Sequence, residues 1–428
     1  MTFAQASLAS QHKPESALAS LLAPVTTDEF LTQHWEQAVL RIHRQDRDYF
    51  RRLLSPEAIE NVLTTACLSH SDAVELLGEM ARTETNCKRD SVSSIASAFD
   101  RGATVRIRNT QRFHPPLLKL TRDLERTFSA PVRINLYWTP GRQQGLSRHW
   151  DTHDVLVLQV AGRKHWRVFE APVKLPLQAP PPLPFEDHRT LYRTRGAVRS
   201  EELMRELAGA SALREEFILE QGDVLYLPRG VPHEAWTSAP SSVHLTVGLH
   251  VLTWTDLLAV ALGQVANQDE RFRRALPLGF AAETLGGEAG QQQAQELLRS
   301  FVQHLNVTPA FEELAEVFIH TRPSISGNLQ AGTENIAALD PQTCVGPRSG
   351  LLCRLIIKTE TVALYFGHGE FEAPRAMEDA LRFIATTERF RVDEVPGGLS
   401  RRNQLALVRH LIAQRFLCIV PDRADLVK

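Results

Sequence analysis

The sequence predicts an α+β protein in which a small antiparallel β-barrel is flanked on both sides by helical regions. Three observations predict it. Between Pro131 and His250 apolar residues alternate with a period of two, in short runs broken by turn residues. Before and after this stretch the apolar spacing is helical. Inside it, RHWDTHD and EQGDVLYLPRGVPHEAW concentrate histidines and an aspartate at strand ends, where a barrel can bring them together.

Residues 1 to about 115 read as mainly helical. Thr27-Asp28 caps a helix through Phe30, Leu31 and Trp35, and Ser55-Pro56-Glu57 opens another with Pro at its first position. QAVLRIHR, residues 37–44, reads as a short strand between them. The barrel strands follow as VRINLYW (132–138), VLVLQV (155–160), KHWRVF (164–169), VLYLP (224–228) and SVHLTVGLH (242–250). Pro140-Gly141, Ala161-Gly162, Gln221-Gly222-Asp223 and Arg229-Gly230 supply the turns. APPPLP (179–184) is an extended connector into a polar insertion with a helix near Glu201 to Leu207.

After His250 helices return. TDLLAVALGQV starts from a Thr255 cap, and Thr308-Pro309 opens FEELAEVF. From about residue 325, LLCRLIIK and TVALYF pair as strands. PRAMEDALRFIA and SRRNQLALVRHLIAQ are amphipathic helices, and FLCIV is a closing strand. Helices with a short strand pair are compatible with a winged-helix module. There is no internal repeat.

The bulk numbers agree with a soluble protein of two or three domains: 428 residues, 43% hydrophobic and 23% charged. A net charge of -2 argues against bulk attraction to nucleic acid. No apolar run approaches the roughly 20 residues that span a bilayer, and the N-terminus lacks a secretory pattern. The five cysteines are scattered without a CxxC pair, which suits reduced thiols in a cytoplasm and disfavours a cysteine zinc site.

In RHWDTHD, a His and an Asp two residues apart at a strand edge point to one face. His149 and Asp151 can therefore grip one ion. His233, after the Gly222-Asp223 turn, a strand and a loop, can supply the third ligand. Two His and one carboxylate on one face of an octahedron is the arrangement of non-heme Fe(II) oxygenases, and it leaves positions for a chelating co-substrate and dioxygen. His153 shares the same parity, so spacing alone allows Asp151 to pair with it instead.

If Ala161-Gly162 closes a hairpin, Val160 faces Arg163 and Gln159 faces Lys164. Lys164 then shares a face with Val155, Val157 and the metal ligands. A cation inside a barrel needs an anion, and the distal carboxylate of 2-oxoglutarate would satisfy it. A turn shifted by one residue would point Lys164 outward. The polar face of 242–250 lines the pocket or faces solvent. In the first case Thr246 can hydrogen-bond the same carboxylate. Asn135 and Tyr137 also share a face.

NLYWTPGRQQGLSRHWDTHDVLVLQVAGRKHWRVF followed by GDVLYLPRGVPHEAW resembles the JmjC ribosomal-oxygenase family, the cupin-like protein hydroxylases of bacteria and eukaryotes. LLAPVTTDEFLTQHWEQAVLRI resembles its entry segment, and FRVDEVPGGLSRRNQLALVRHLIAQRFLCIV its C-terminal winged helix. Nearly the whole chain is covered, with weak matches over residues 171–215 and 268–300. The resemblance implies a JmjC/cupin oxygenase domain over 1–250, a double-stranded β-helix barrel with an N-terminal helical flank, then a helical dimerisation domain over 251–325 and a winged-helix-like domain over 326–428. It implies iron on His149, Asp151 and His233, and the 2-oxoglutarate carboxylate on Lys164 with Asn135, Tyr137 and Thr246 in support. Trp150 stands where the family usually has Tyr, pointing away from the metal by parity. The expected activity is Fe(II)- and 2-oxoglutarate-dependent hydroxylation, with O2, of a side-chain carbon in a protein or peptide, a ribosomal protein among the candidates. A homodimer is also implied.

Two other readings compete. A non-catalytic metal-binding cupin would sense a small acid, with Arg401, Arg402 and Arg409 offering a basic edge to DNA. Leu405, Leu407 and Leu411 commit that helix to packing, so direct DNA binding is not expected. The same oxygenase chemistry could also serve a small molecule, and hydroxylation of a methyl group would give demethylation.

Overall fold

The computed structural model describes residues 16–78, 91–177, 209–278, 287–322, 339–348, 350–367 and 369–420. It divides into two compact units, Met1–Val251 and Leu252–Lys428. The expected connector at 179–184 and the helix near 201–207 lie outside the described residues.

Among the described residues the first unit has ten strands: β1 (Leu40–Ile42), β2 (Val74–Leu77), β3 (Thr104–Ile107), β4 (Val132–Thr139), β5 (Asp154–Ala161), β6 (Lys164–Phe169), β7 (Leu213–Leu219), β8 (Val224–Leu227), β9 (His233–Trp236) and β10 (Ser242–Leu249). They form an antiparallel seven-stranded sheet, β1-β8-β5-β10-β4-β3-β2, and a three-stranded sheet, β7-β6-β9. The faces of β5 separate two cores. Leu156, Leu158 and Val160 join a core with Leu117, Leu120 and Leu124 of the helix Pro115–Phe128. Val155 and Val157 pack with Trp166, Val168, Phe217 and Leu219 of the smaller sheet. A strand buried on both faces has to be apolar nearly throughout, which is why VLVLQV shows little alternation.

The N-terminal region is less helical than its spacing predicts. β2 and β3 extend the large sheet, and each is only four residues long, too short to display a period. LREEFIL forms β7, although its first four residues are exposed. The 37–44 strand shortens to Leu40–Ile42, and Thr26 rather than Thr27 caps the helix Thr27–Glu29 that precedes it.

The Ala161-Gly162 hairpin does not form. β5 already has both hydrogen-bonding edges occupied, by β8 and β10, so no edge remains for β6. The chain instead crosses to the other sheet, where Lys164 pairs with Leu219. Gly162 makes the crossing possible: its φ is +65°, and a Cβ there would lie 2.3 Å from the Ser241 carbonyl oxygen.

In the second unit, the helices Trp254–Gln268, Gly287–His304 and Val307–His320 share a small core of Leu257, Ala261 and Ala310. Thr253, not Thr255, caps the first. Its hydroxyl accepts from Asp256 N at 3.3 Å, while Asp256 Oδ2 accepts from Thr253 N at 2.7 Å. Asn306, not Thr308, caps the third, accepting from Thr308 N at 3.1 Å. Beyond them, Cys353–Ile357 and Thr361–Phe366 pair as expected, joined by Gly369–Pro374 in a three-stranded sheet. Phe390–Arg391, Cys344–Pro347 and Leu417–Ile419 make a second small sheet. The helices Glu378–Thr386 and Arg401–Ala413 cover a core that includes Leu364, Phe366, Leu381, Leu407, Leu411 and Phe416. Among the described residues no helix is long and apolar enough to cross a membrane.

Candidate metal centre and anion pocket

The two motifs meet because their backbones are stitched together. His149 N donates to the His233 carbonyl at 3.2 Å, and His233 N donates back to the His149 carbonyl at 2.8 Å. Gly230 N donates to the Asp151 carbonyl at 2.9 Å. The turn preceding β8 is fixed by Asp223, whose buried carboxylate accepts from Arg44 N at 2.8 Å and Glu220 N at 2.9 Å. Gly222, with φ +100°, lets the chain pass the Asp46 carbonyl, 2.2 Å from where a Cβ would stand.

This framework brings one ligand atom each from His149, Asp151 and His233 within 4.8 Å of one another. His149 Nδ1 lies 2.8 Å from the Ser147 carbonyl, and His233 Nδ1 lies 3.1 Å from the Val231 carbonyl. A carbonyl only accepts, so each Nδ1 carries the proton and each Nε2 keeps its lone pair. His233 Nε2 stands 3.7 Å from Asp151 Oδ2. Burial and the neighbouring His149 hold the His233 imidazole down at about 4, so it is neutral near pH 7. Enclosure opposes the charge on Asp151, but the surrounding imidazoles, His153 foremost, outweigh it and keep the carboxyl below its ordinary range. Two imidazoles that each turn Nε2 toward the cluster and one carboxylate are the donor set a divalent metal takes. His153 also lines the cavity but stands outside this cluster, its ring stacked on His250 at 4.3 Å over the open face of Gly248.

These residues open onto a cavity of about 390 Å³. Lys164 lines it with Val155 and Val157, so the lysine points inward as expected, although by a different route. Its side chain is buried and Nζ donates to Thr139 Oγ1 at 2.9 Å. Among the described residues no acidic side chain is paired with it, and burial pushes its pKa down to about 7. Asn135, Tyr137 and Thr246 also line the cavity. The Asn135 side-chain oxygen is engaged, accepting from Asn109 N at 3.1 Å. Tyr137 OH accepts a long hydrogen bond from Arg106 Nη1 at 3.5 Å, and burial raises its pKa.

Residues 106–257 match the family described as the JmjC domain. Over that stretch the chain is similar to the JmjC domain. It is similar over 321 residues, at 29% identity, to the bifunctional lysine-specific demethylase and histidyl-hydroxylase NO66 of Drosophila mojavensis, covering 70% of this chain and 34% of that protein. The ribosomal oxygenase 1 of Gallus gallus is 28% identical over 318 residues, covering 70% of this chain and 50% of that protein. The chain thus spans about a third to a half of the length of these curated relatives. A solved structure of YcfD, a ribosomal oxygenase from Escherichia coli, covers 93% of this chain and is itself covered over 99%, with a TM-score of 0.50 and 15% identity. That likeness bears on the fold, and it agrees with a JmjC, cupin-like barrel.

Arg106, Trp166 and His244 also line the cavity. His244 belongs to the polar face of 242–250 that the sequence allows to line the pocket, while Arg106 and Trp166 carried no such signal. Arg106 sits on β3, a strand the sequence did not reveal.

Proposed function

We propose that this JmjC protein is an Fe(II)- and 2-oxoglutarate-dependent oxygenase that hydroxylates a side-chain carbon of a protein or peptide, with ribosomal proteins the leading substrate class. The observation that carries the reading is the pairing of a 2-His-1-carboxylate cluster with a buried lysine in one cavity. A cluster alone would suit many metal proteins. With no acidic side chain paired to it among the described residues, the buried lysine gives the cavity a charge for an acidic ligand to meet.

In this reading His149, Asp151 and His233 hold the iron, and Lys164 holds the distal carboxylate, with Asn135, Tyr137 and Thr246 beside it. When bound, iron and 2-oxoglutarate supply the oxidising chemistry, one oxygen atom of O2 leaving in succinate and the other in the hydroxylated product, with release of carbon dioxide. The Ser147 and Val231 carbonyls fix both imidazole tautomers before metal arrives, which removes a reorganisation step. Asp151 supplies negative charge without a proton to lose near neutral pH. Val155, Val157 and Trp166 wall the cavity with apolar surface and limit water.

We read the helices from Leu252 to about His320 as the dimerisation domain and the remainder as winged-helix-like. Exposed Trp254, Leu262, Leu298 and Val302 support the first assignment, since helices with such apolar surface favour a partner. Two helices beside a three-stranded antiparallel sheet support the second. A cytoplasmic location belongs to the same reading. Mass spectrometry of ribosomal proteins incubated with Fe(II), 2-oxoglutarate and the protein tests the function: the expected product gains one oxygen atom. If succinate forms only with a small-molecule substrate, the substrate class is wrong.

A further inference from the structure

Lys164 is not the only group near the proposed carboxylate subsite with hydrogen-bonding capacity to spare. The His244 ring lines the same cavity and is 4% exposed, and its buried Nδ1 has no hydrogen-bond partner among the described residues. Its position is tightly determined. The ring lies parallel to Tyr137, with centroids 4.9 Å apart and planes 1° apart, and Trp166 meets it edge-on at 5.7 Å. Tyr137 in turn lies under Arg106, whose guanidinium is held by Glu75.

The sheet register sets these groups out in rungs. Thr139, the Lys164 partner, pairs with Ser242; Tyr137 pairs with His244; Asn135 pairs with Thr246. Successive rungs on one face are about 7 Å apart. A carboxylate held by Lys164 therefore lies beside the Tyr137–His244 rung. An ammonium–carboxylate pair removed from water is favourable only when its remaining lone pairs find donors. A carboxylate has about four such sites, and Lys164 already spends one donor on Thr139.

We propose that His244 is a further binding residue for the distal carboxylate of the 2-oxo acid, donating a ring N–H to it as a neutral imidazole. The proposal rests on the oxygenase reading above. Burial and the nearby Lys164 keep the ring uncharged, so it contributes a directed donor and adds no second cation to the pocket. The parallel contact with Tyr137 fixes the ring plane, so little side-chain freedom is lost when the ligand arrives. His244 and Lys164 together would favour a 2-oxo dicarboxylate over a 2-oxo monoacid.

The test compares two ligands on the Fe(II)-loaded protein without oxygen, by calorimetry. One is 2-oxoglutarate, and the other is 2-oxobutyrate, which has the same chelating end and no distal carboxylate. His244→Phe keeps the ring and its stack but removes the donor, and His244→Asn keeps a donor without the ring. Replacing the donor in His244→Phe should weaken 2-oxoglutarate about tenfold, the size of one hydrogen bond to a charged group. It should leave 2-oxobutyrate unchanged, and His244→Asn should recover part of the loss. Unchanged 2-oxoglutarate affinity in His244→Phe overturns the proposal, as does an equal loss for both ligands, which would mean a structural role. A wild-type protein that binds neither ligand overturns the oxygenase reading itself.

Discussion

Asp154 and Arg229 form a buried ion pair, Oδ2 to Nη1 at 2.8 Å, joining the strand that leaves the Asp151 motif to the loop that enters the His233 motif. Tyr226 OH donates to the other Asp154 oxygen at 2.7 Å, and Arg229 also reaches Glu36. The pair therefore fixes, from outside the cavity, the spacing between two of the proposed ligands. Arg229→Met leaves the Asp154 carboxylate buried without its cation. Thermal unfolding should show a loss of about 3–5 kcal/mol, and Fe(II) affinity should fall with it. Arg229→Lys should recover part of both. A variant with wild-type stability would remove the pair from any structural role.

Lys164 links stability and ligand binding with opposite signs. Its pKa is about 7 in the folded protein against an ordinary value of 10.5. Between these values the unfolded chain holds a proton that the folded one lacks, so the ligand-free protein gains stability as pH rises through this window. Below pH 7 both states are protonated, and the cost of the buried cation is constant. Binding of 2-oxoglutarate requires the ammonium form, so its affinity should be flat below pH 7 and fall by up to about tenfold per unit above it. Calorimetry across pH 6 to 9 reads the second trend, and melting curves without ligand read the first.

Lys164→Met separates the two effects. Removing a buried cation should raise the melting temperature of the ligand-free protein at neutral pH while lowering 2-oxoglutarate affinity by at least about a hundredfold. A variant that melts lower and binds normally would place Lys164 in the packing alone.

His149 and His153 are equivalent by strand parity, and only one can be a ligand. Because His153 is stacked on His250, His153→Ala should retain Fe(II) binding, and His149→Ala should lose it by at least about a hundredfold. Metal titration under nitrogen distinguishes them, and the reverse order of affinities would reassign the site.

Legibility from sequence followed the range of the interactions. The strands around RHWDTHD and GDVLYLP could be read because their turns and alternation are local. So could the convergence of His149, Asp151 and His233, which depends on backbone bonds between two short motifs. The inward direction of Lys164 was anticipated, but its hairpin was not real, because strand partners are decided by which sheet edges remain open. Two caps moved by two residues, from Thr255 to Thr253 and from Thr308 to Asn306, since several neighbours could each have accepted the same N–H. β2, β3 and β7 escaped detection because they take their stability from the sheets they join.

The central claim is that this cavity runs 2-oxoglutarate turnover on His149, Asp151 and His233. Succinate release from 2-oxoglutarate, measured with Fe(II) and oxygen for wild type, His149→Ala and Asp151→Ala, tests it most directly. The expected result is turnover in the wild type and its loss in both variants; full turnover in either variant would contradict the assignment.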